Sequence, residues 1–185
     1  AFIARVLHIL ARPSEFWDEI REVATPVRHL MFPHLTILIG VRAGAGFVGD
    51  LLQSVGFGAA IGKLLISFFS WFALVWVFAL VVGSIATTSG ARMSAGSAVR
   101  FSVFGLTPLF AVGIFAAIPL PHVAPIAELL AMPYAFYVLA VGVIPELGFP
   151  ADKAPGAVGK LCGALLILWT VMPTLLPTMV GAITA

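Results

Sequence analysis

Residues 64–86 read LLISFFSWFALVWVFALVVGSIA, 23 residues without a charge or a proline. A helix crossing the roughly 30 Å hydrocarbon core of a bilayer needs about 20 mostly apolar residues. This stretch is therefore long enough to span on its own. Four more stretches meet the criterion on either side of it: Leu30–Gly49, Val103–Leu120, Val123–Ile144 and Leu161–Gly181. The first is interrupted by Arg42, and the third is short and closed by Pro119 and Pro121. Composition agrees, with 61% hydrophobic and only 10% charged residues, against about 25% charged in soluble domains. So few charges cannot cover a water-facing surface, and lipid must take that role. The expected fold is all-α: an integral membrane bundle of five transmembrane helices, residues 29–185, preceded by an amphipathic cytoplasmic-face segment, residues 1–28.

Loop charge orients the spans, because Lys and Arg are retained on the cytoplasmic side. With the N-terminus inside, that side holds Arg5, Arg12, Arg21, Arg28, Arg92, Arg100, Lys153 and Lys160. The opposite side holds only Lys63, and Arg42 lies within a span. Losing or gaining one span would put basic loops on both faces. The bias thus predicts five crossings, a cytoplasmic N-terminus and a C-terminus outside. A chain starting at Ala1 without methionine implies missing N-terminal residues, and no cleavable signal peptide is visible, since Arg5 and His8 break the first apolar run.

Ahead of the first span, Phe2, Ile3, Val6, Leu7, Ile9 and Leu10 form an apolar stripe. Pro13 ends that stretch, and Ser14 can cap a second helix with Phe16, Trp17, Ile20 and Val23 on one side and Glu15, Asp18, Glu19 and Glu22 facing away. Both helices suit the membrane interface or a dock on the bundle. The glycine-rich stretch Asp50–Lys63 reads as an outer loop that dips into the leaflet or extends the second span. Thr87–Arg100 and Glu146–Lys160 read as inner loops.

Arg42 is the sharpest single feature. A charge inside a span costs at least ~2.5–3.5 kcal/mol, so it should face protein or water and have a partner. It precedes Asp50 by eight residues, hence ~12 Å below the outer face at 1.5 Å per residue. Glu128 follows His122 by six, ~9 Å below the same face. The depths allow an intramembrane ion pair, serving as a clamp between the first and fourth spans, a solute or proton site, or a contact with another subunit or a headgroup. Gly40 with Gly44 and Gly159 with Gly163 have the four-residue spacing that lets helices approach, within the chain more readily than between chains. Pro33, Pro108, Pro133, Pro173 and Pro177 fall within spans and can kink their helices.

His8, His29, His34 and His122 do not stand in pairs at matching depth, as bis-histidine haem ligation requires, and read as interface residues. The aromatics Phe68, Phe69, Trp71, Phe72, Trp76 and Phe78 could line a pigment or quinone, or simply pack. Cys162 is the single cysteine, which excludes a multi-cysteine metal site. No nucleophile–base set or phosphate loop is present. The expectation is a protein that is no enzyme, holds no cofactor and contacts no nucleic acid. Its expected partners are membrane lipids and other integral membrane subunits.

Three segments together resemble the Yip family of small polytopic membrane proteins. Pro13, Trp17 and Ile20 resemble its P-x-x-x-W-x-x-I pattern. Leu106-Thr107-Pro108 followed by Ile118-Pro119 resembles its "tP…iP" pattern. Tyr137-Val138-Leu139, then Gly142, and Pro150-Ala151-Asp152-Lys153-Ala154 resemble its signature Y-x-L…G…P-x-x-K-A. The resemblance runs in order along nearly the whole chain. It implies a five-span layout and adaptor or membrane-organising roles. Eukaryotic members bind small GTPases and one another, while the bacterial members, to which this chain is more similar, lack a general assigned activity. The acidic cytoplasmic tail of the GTPase-binding members is not visible, and no catalytic residues carry over. A non-enzymatic scaffold or accessory subunit of a larger complex in the bacterial cytoplasmic membrane is the first expectation. A small-solute or ion transporter or channel using the Arg42–Glu128 pair is the alternative.

Overall fold

The computed structural model describes residues 2–22, 30–94 and 96–184, leaving out the side-chain surroundings at 30–32, 172–173, 176–177 and 179–184. The expected boundary between residues 28 and 29, together with Val23, Arg28 and His29, lies outside the described residues. In chain order the helices are α1 (Phe2–Ala11), α2 (Pro13–Glu22), a π-helix (Leu30–Leu35), α3 (Thr36–Leu52), α4 (Phe57–Thr88), α5 (Ser97–Gly105), α6 (Thr107–Val112), a 3₁₀-helix (Gly113–Ala117), α7 (Val123–Leu147) and α8 (Ala154–Thr184). No strand occurs among the described residues. Five helical segments are long and apolar enough to cross a membrane: Pro33–Leu52, Phe57–Thr88, Ser97–Ala117, Val123–Leu147 and Ala154–Val171. The chain is a five-span helical membrane protein.

The span ends differ from the hydropathy reading for identifiable reasons. Helix α4 starts at Phe57, so the second half of the stretch Asp50–Lys63 extends the second span. Gly58 and Gly62 sit among Phe57, Ala59, Ala60 and Ile61, and Lys63 donates to Asp50 Oδ1 at 2.9 Å across the turn from α3. The third span starts earlier than expected, at Ser97, and carries Arg100 inside it. It then breaks at Leu106. Pro108 has no N–H to give the carbonyl of Phe104, and the Leu106 carbonyl instead accepts from both Leu109 and Phe110 at 3.1 Å.

The expected kink sites divide. Pro33 lies in the π-helix and Pro108 follows the break, so both coincide with altered helical hydrogen bonding. Pro133 lies within α7, which runs on unbroken, and α8 continues past Pro173 and Pro177.

Helix α4 packs against α3, α5 and α8, while α7 packs against α2, α5, α6 and α8. Close approach is achieved by glycines other than the expected ones. A Cβ built on Gly40, Gly44, Gly159 or Gly163 meets nothing within 4 Å. These four therefore mediate no tight contact within the chain, which corrects the intramolecular packing expected of them. The tight positions are Gly49, where a Cβ would come within 2.2 Å of the Ala116 carbonyl oxygen, Gly105 against Leu139, and Gly142 against Trp17.

The N-terminal helices pack on the bundle. Helix α2 starts at Pro13, two residues earlier than a Ser14 cap would place it, because proline suits the first helical turn, where its missing N–H has no intrahelical acceptor to serve. Its buried stripe is Pro13, Phe16, Trp17 and Ile20. Trp17 is fully buried, donates from Nε1 to the Val138 carbonyl at 2.9 Å and stacks on Phe101 at 5.5 Å. Helix α1 is fastened by the Tyr134 hydroxyl, which donates to the Leu10 carbonyl at 2.6 Å. Ile9 is buried, whereas Ile3 and Leu7 are 69% and 60% exposed. The continuous stripe read along α1 is thus divided between the bundle and the outside.

Candidate functional site: an intramembrane charge cluster

Helices α3 and α7 bring Arg42 and Glu128 together. The Arg42 Nη2 group donates to Glu128 Oε1 in a salt bridge, and Nη1 donates to the Leu109 carbonyl at 3.4 Å. That carbonyl lies near the 3₁₀-helix, just beyond the break after α5. The guanidinium lies 4.0 Å from the ring centroid of Trp71 and 5.3 Å from that of Trp169. Trp169 Nε1 donates to Glu128 Oε2 at 2.8 Å, so both carboxylate oxygens have a donor. Phe110 closes the aromatic wall at 5.9 Å from Trp71 and 5.8 Å from Trp169. The side chains of Arg42 and Glu128 are 9% and 17% exposed.

Each part offsets a specific cost. A cation held in hydrocarbon needs a counter-charge, and charge-assisted hydrogen bonds are roughly twice as strong as neutral ones. A guanidinium over a desolvated Trp face gains up to about 2 kcal/mol more. Gly113 makes room for it: a Cβ there would stand 2.6 Å from Arg42 Cγ and 2.8 Å from Nη1. Sequence reasoning placed Trp71 in a general aromatic crowd and did not single out Trp169 or Gly113. The available signal was helical spacing, since Trp71, Leu74, Val75, Phe78 and Val82 form one buried face of α4.

A second buried pair lies at the other end of the bundle. Arg100 donates from Nε to Glu146 Oε1 at 2.9 Å and from Nη2 to the hydroxyls of Ser94 and Ser97 at 3.0 Å. The Glu146 side chain is 1% exposed and that of Arg100 11%. Read as loop charges, both are in fact helical and internal. Around them the two loops on this side join: Gly148, at φ +68° in the left-handed region, accepts from the Arg92 N–H at 3.2 Å, and Lys153 Nζ donates to the Ser89 carbonyl at 3.2 Å. A Cβ on Gly148 would meet the Arg92 carbonyl oxygen at 2.9 Å, so glycine is required there twice over.

The histidines separate. His122 is exposed, and His8 Nδ1 lies 3.5 Å from Glu19 Oε2. His34 is buried within the protein, 2% exposed. It packs on Phe2 and Phe104, with Nε2 3.4 Å from Thr107 Oγ1 and Nδ1 unpaired. Among the described residues no group of three or more His, Cys, Asp or Glu side chains could hold a metal ion.

The five spans and these internally matched charges define a polytopic helical membrane protein whose polar groups fasten helices to one another. A family model, the Yip1 domain, matches residues 7–172. The chain belongs to the Yip1 family. That match takes in α2 and its buried Trp17, the Thr107-Pro108 break, and the turn from Gly148 to Ala154. No curated protein and no solved structure matches the chain.

Proposed function

We propose that this Yip1-family protein is a non-enzymatic scaffold or accessory subunit of a larger membrane complex, in a bacterial cytoplasmic membrane with the N-terminus inside and the C-terminus outside. The observation that supports it most is the closure of the Arg42–Glu128 cluster. Both carboxylate oxygens are occupied, and Trp71, Trp169 and Gly113 pack against the guanidinium. A transport path would need an opening beside that pair, and on one side Gly113 lies close against the Arg42 side chain. Function then falls to the outer surface. There Gly40, Gly44, Gly159 and Gly163 have open space at their Cβ positions, the kind of surface another helix can approach closely.

The lysines and arginines around α1, α2 and the two joined loops support the orientation, since basic residues are retained in the cytoplasm. The test is gentle solubilisation of the full chain followed by quantification of co-purifying proteins. A stoichiometric integral membrane partner is expected, and Gly40→Leu or Gly163→Leu should release it without altering the fold. Recovery solely as a free monomer would defeat the proposal. Flux in reconstituted vesicles that Arg42→Leu abolishes would favour the transporter reading instead.

A further inference from the structure

Helices α1 and α2 face each other across a cleft of about 180 Å³, lined by Arg5, His8, Phe16, Glu19 and Ile20. Arg5 and His8 lie three residues apart on one face of α1, and Phe16, Glu19 and Ile20 lie on one face of α2. Opposite charges therefore stand on opposite walls. His8 approaches one Glu19 oxygen, Oε2, at 3.5 Å. Arg5 is in no salt bridge among the described residues.

The depth of this cleft says what reaches it. Asp50, Lys63 and His122 mark one face of the bundle. A hydrocarbon core of roughly 30 Å corresponds to about 20 helical residues, which from those positions leads to residues near 30 in the first span and 142 in the fourth. Trp17 packs on Gly142 and Phe2 on His34. Helices α1 and α2 thus sit at the opposite membrane interface, where headgroups lie. Ile3 and Leu7 are exposed on another face of α1, the kind of apolar surface an in-plane helix presents to acyl chains.

We propose that this cleft seats the headgroup of an amine-bearing phospholipid at the membrane interface, with its phosphate on Arg5 and its ammonium on the other oxygen of Glu19. A guanidinium is suited to phosphate oxygens, and a carboxylate to an N–H donor. An anionic headgroup lacking the amine would meet Glu19 as a like charge. The inference rests on the membrane-embedded fold, and stands whether or not the scaffold role does.

Native mass spectrometry of the full chain in mild detergent, with palmitoyl-oleoyl phosphatidylethanolamine or phosphatidylglycerol added, tests it. One phosphatidylethanolamine should be retained, about tenfold more tightly than phosphatidylglycerol, the worth of one charge-assisted hydrogen bond. Arg5→Gln should weaken both lipids by a similar factor, and Glu19→Gln should erase the preference between them. Both side chains project from exposed positions, so these variants keep the fold. Equal retention of the two lipids by the unaltered chain, or no effect of Arg5→Gln, would overturn the proposal. So would glycerophosphoethanolamine binding as tightly as the lipid, because the site would then recognise a free headgroup.

Discussion

Replacing Glu128 by Gln should lower the thermal stability of the detergent-solubilised protein by about 3 kcal/mol or more, on the order of 6–12 °C in Tm for a chain of this size. The amide keeps the shape of the carboxylate and can still accept from Trp169. What it removes is the charge facing Arg42. A guanidinium packed between Trp71, Trp169 and Gly113 then has the Leu109 carbonyl as its remaining acceptor. Removing one partner of a buried pair is costly because the other charge stays behind, whereas removing both can be nearly neutral. The double variant Arg42→Met with Glu128→Gln should accordingly lose less than Glu128→Gln alone, giving a coupling energy in a double-mutant cycle. A Tm for Glu128→Gln equal to that of the parent would show that the pair bears no part of the stability.

Trp17→Ala should cost about 3–5 kcal/mol, the range for emptying a fully buried aromatic site. Trp17 is the largest side chain in the buried stripe of α2: its ring fills the space that Gly142 leaves open, stacks on Phe101, and hydrogen-bonds the Val138 carbonyl. The loss should be local as well as energetic. The first 22 residues should become accessible to a protease added to solubilised protein, while the five spans stay protected. Trp17→Phe, which keeps an aromatic ring but loses the N–H, should cost about 1 kcal/mol for the hydrogen bond plus a small packing term. Identical digestion patterns for the parent and Trp17→Ala would mean that α2 is held by something other than this residue.

Much of the fold was legible because lipid imposes a simple rule: every spanning backbone must satisfy its own hydrogen bonds, so apolar length translates into helices. The same rule made Arg42 conspicuous, and depth counted in residues drew attention to Glu128. Hydropathy fails where a charge is present but burial wins. Arg100 and Glu146 ended their windows and were read as loop residues, yet each neutralises the other inside the bundle. Gly58 and Gly62 lie in the stretch that reads as an outer loop or an extension of the second span, and they continue α4.

Glycine spacing along one chain segment also says little about which face of a helix meets a neighbour. Gly40, Gly44, Gly159 and Gly163 have the familiar spacing, yet a Cβ on any of them would meet nothing within 4 Å. Gly49, Gly105, Gly113 and Gly142 belong to neither of those pairs and make close approaches. Their role depends on a backbone carbonyl, Leu139, Arg42 and Trp17 arriving from elsewhere in the chain. The aromatic cage has the same character, for Trp71 and Trp169 are 98 residues apart in numbering and 4.6 Å apart at their ring centroids.

Fusing a compartment-sensitive reporter to each end of the chain is the most direct check on an odd number of crossings. The N-terminal fusion should report the cytoplasm and the C-terminal fusion the far side of the membrane. Signals from both fusions in one compartment would contradict the five-span account and, with it, the shared depth on which the Arg42–Glu128 cluster and the α1–α2 cleft are placed.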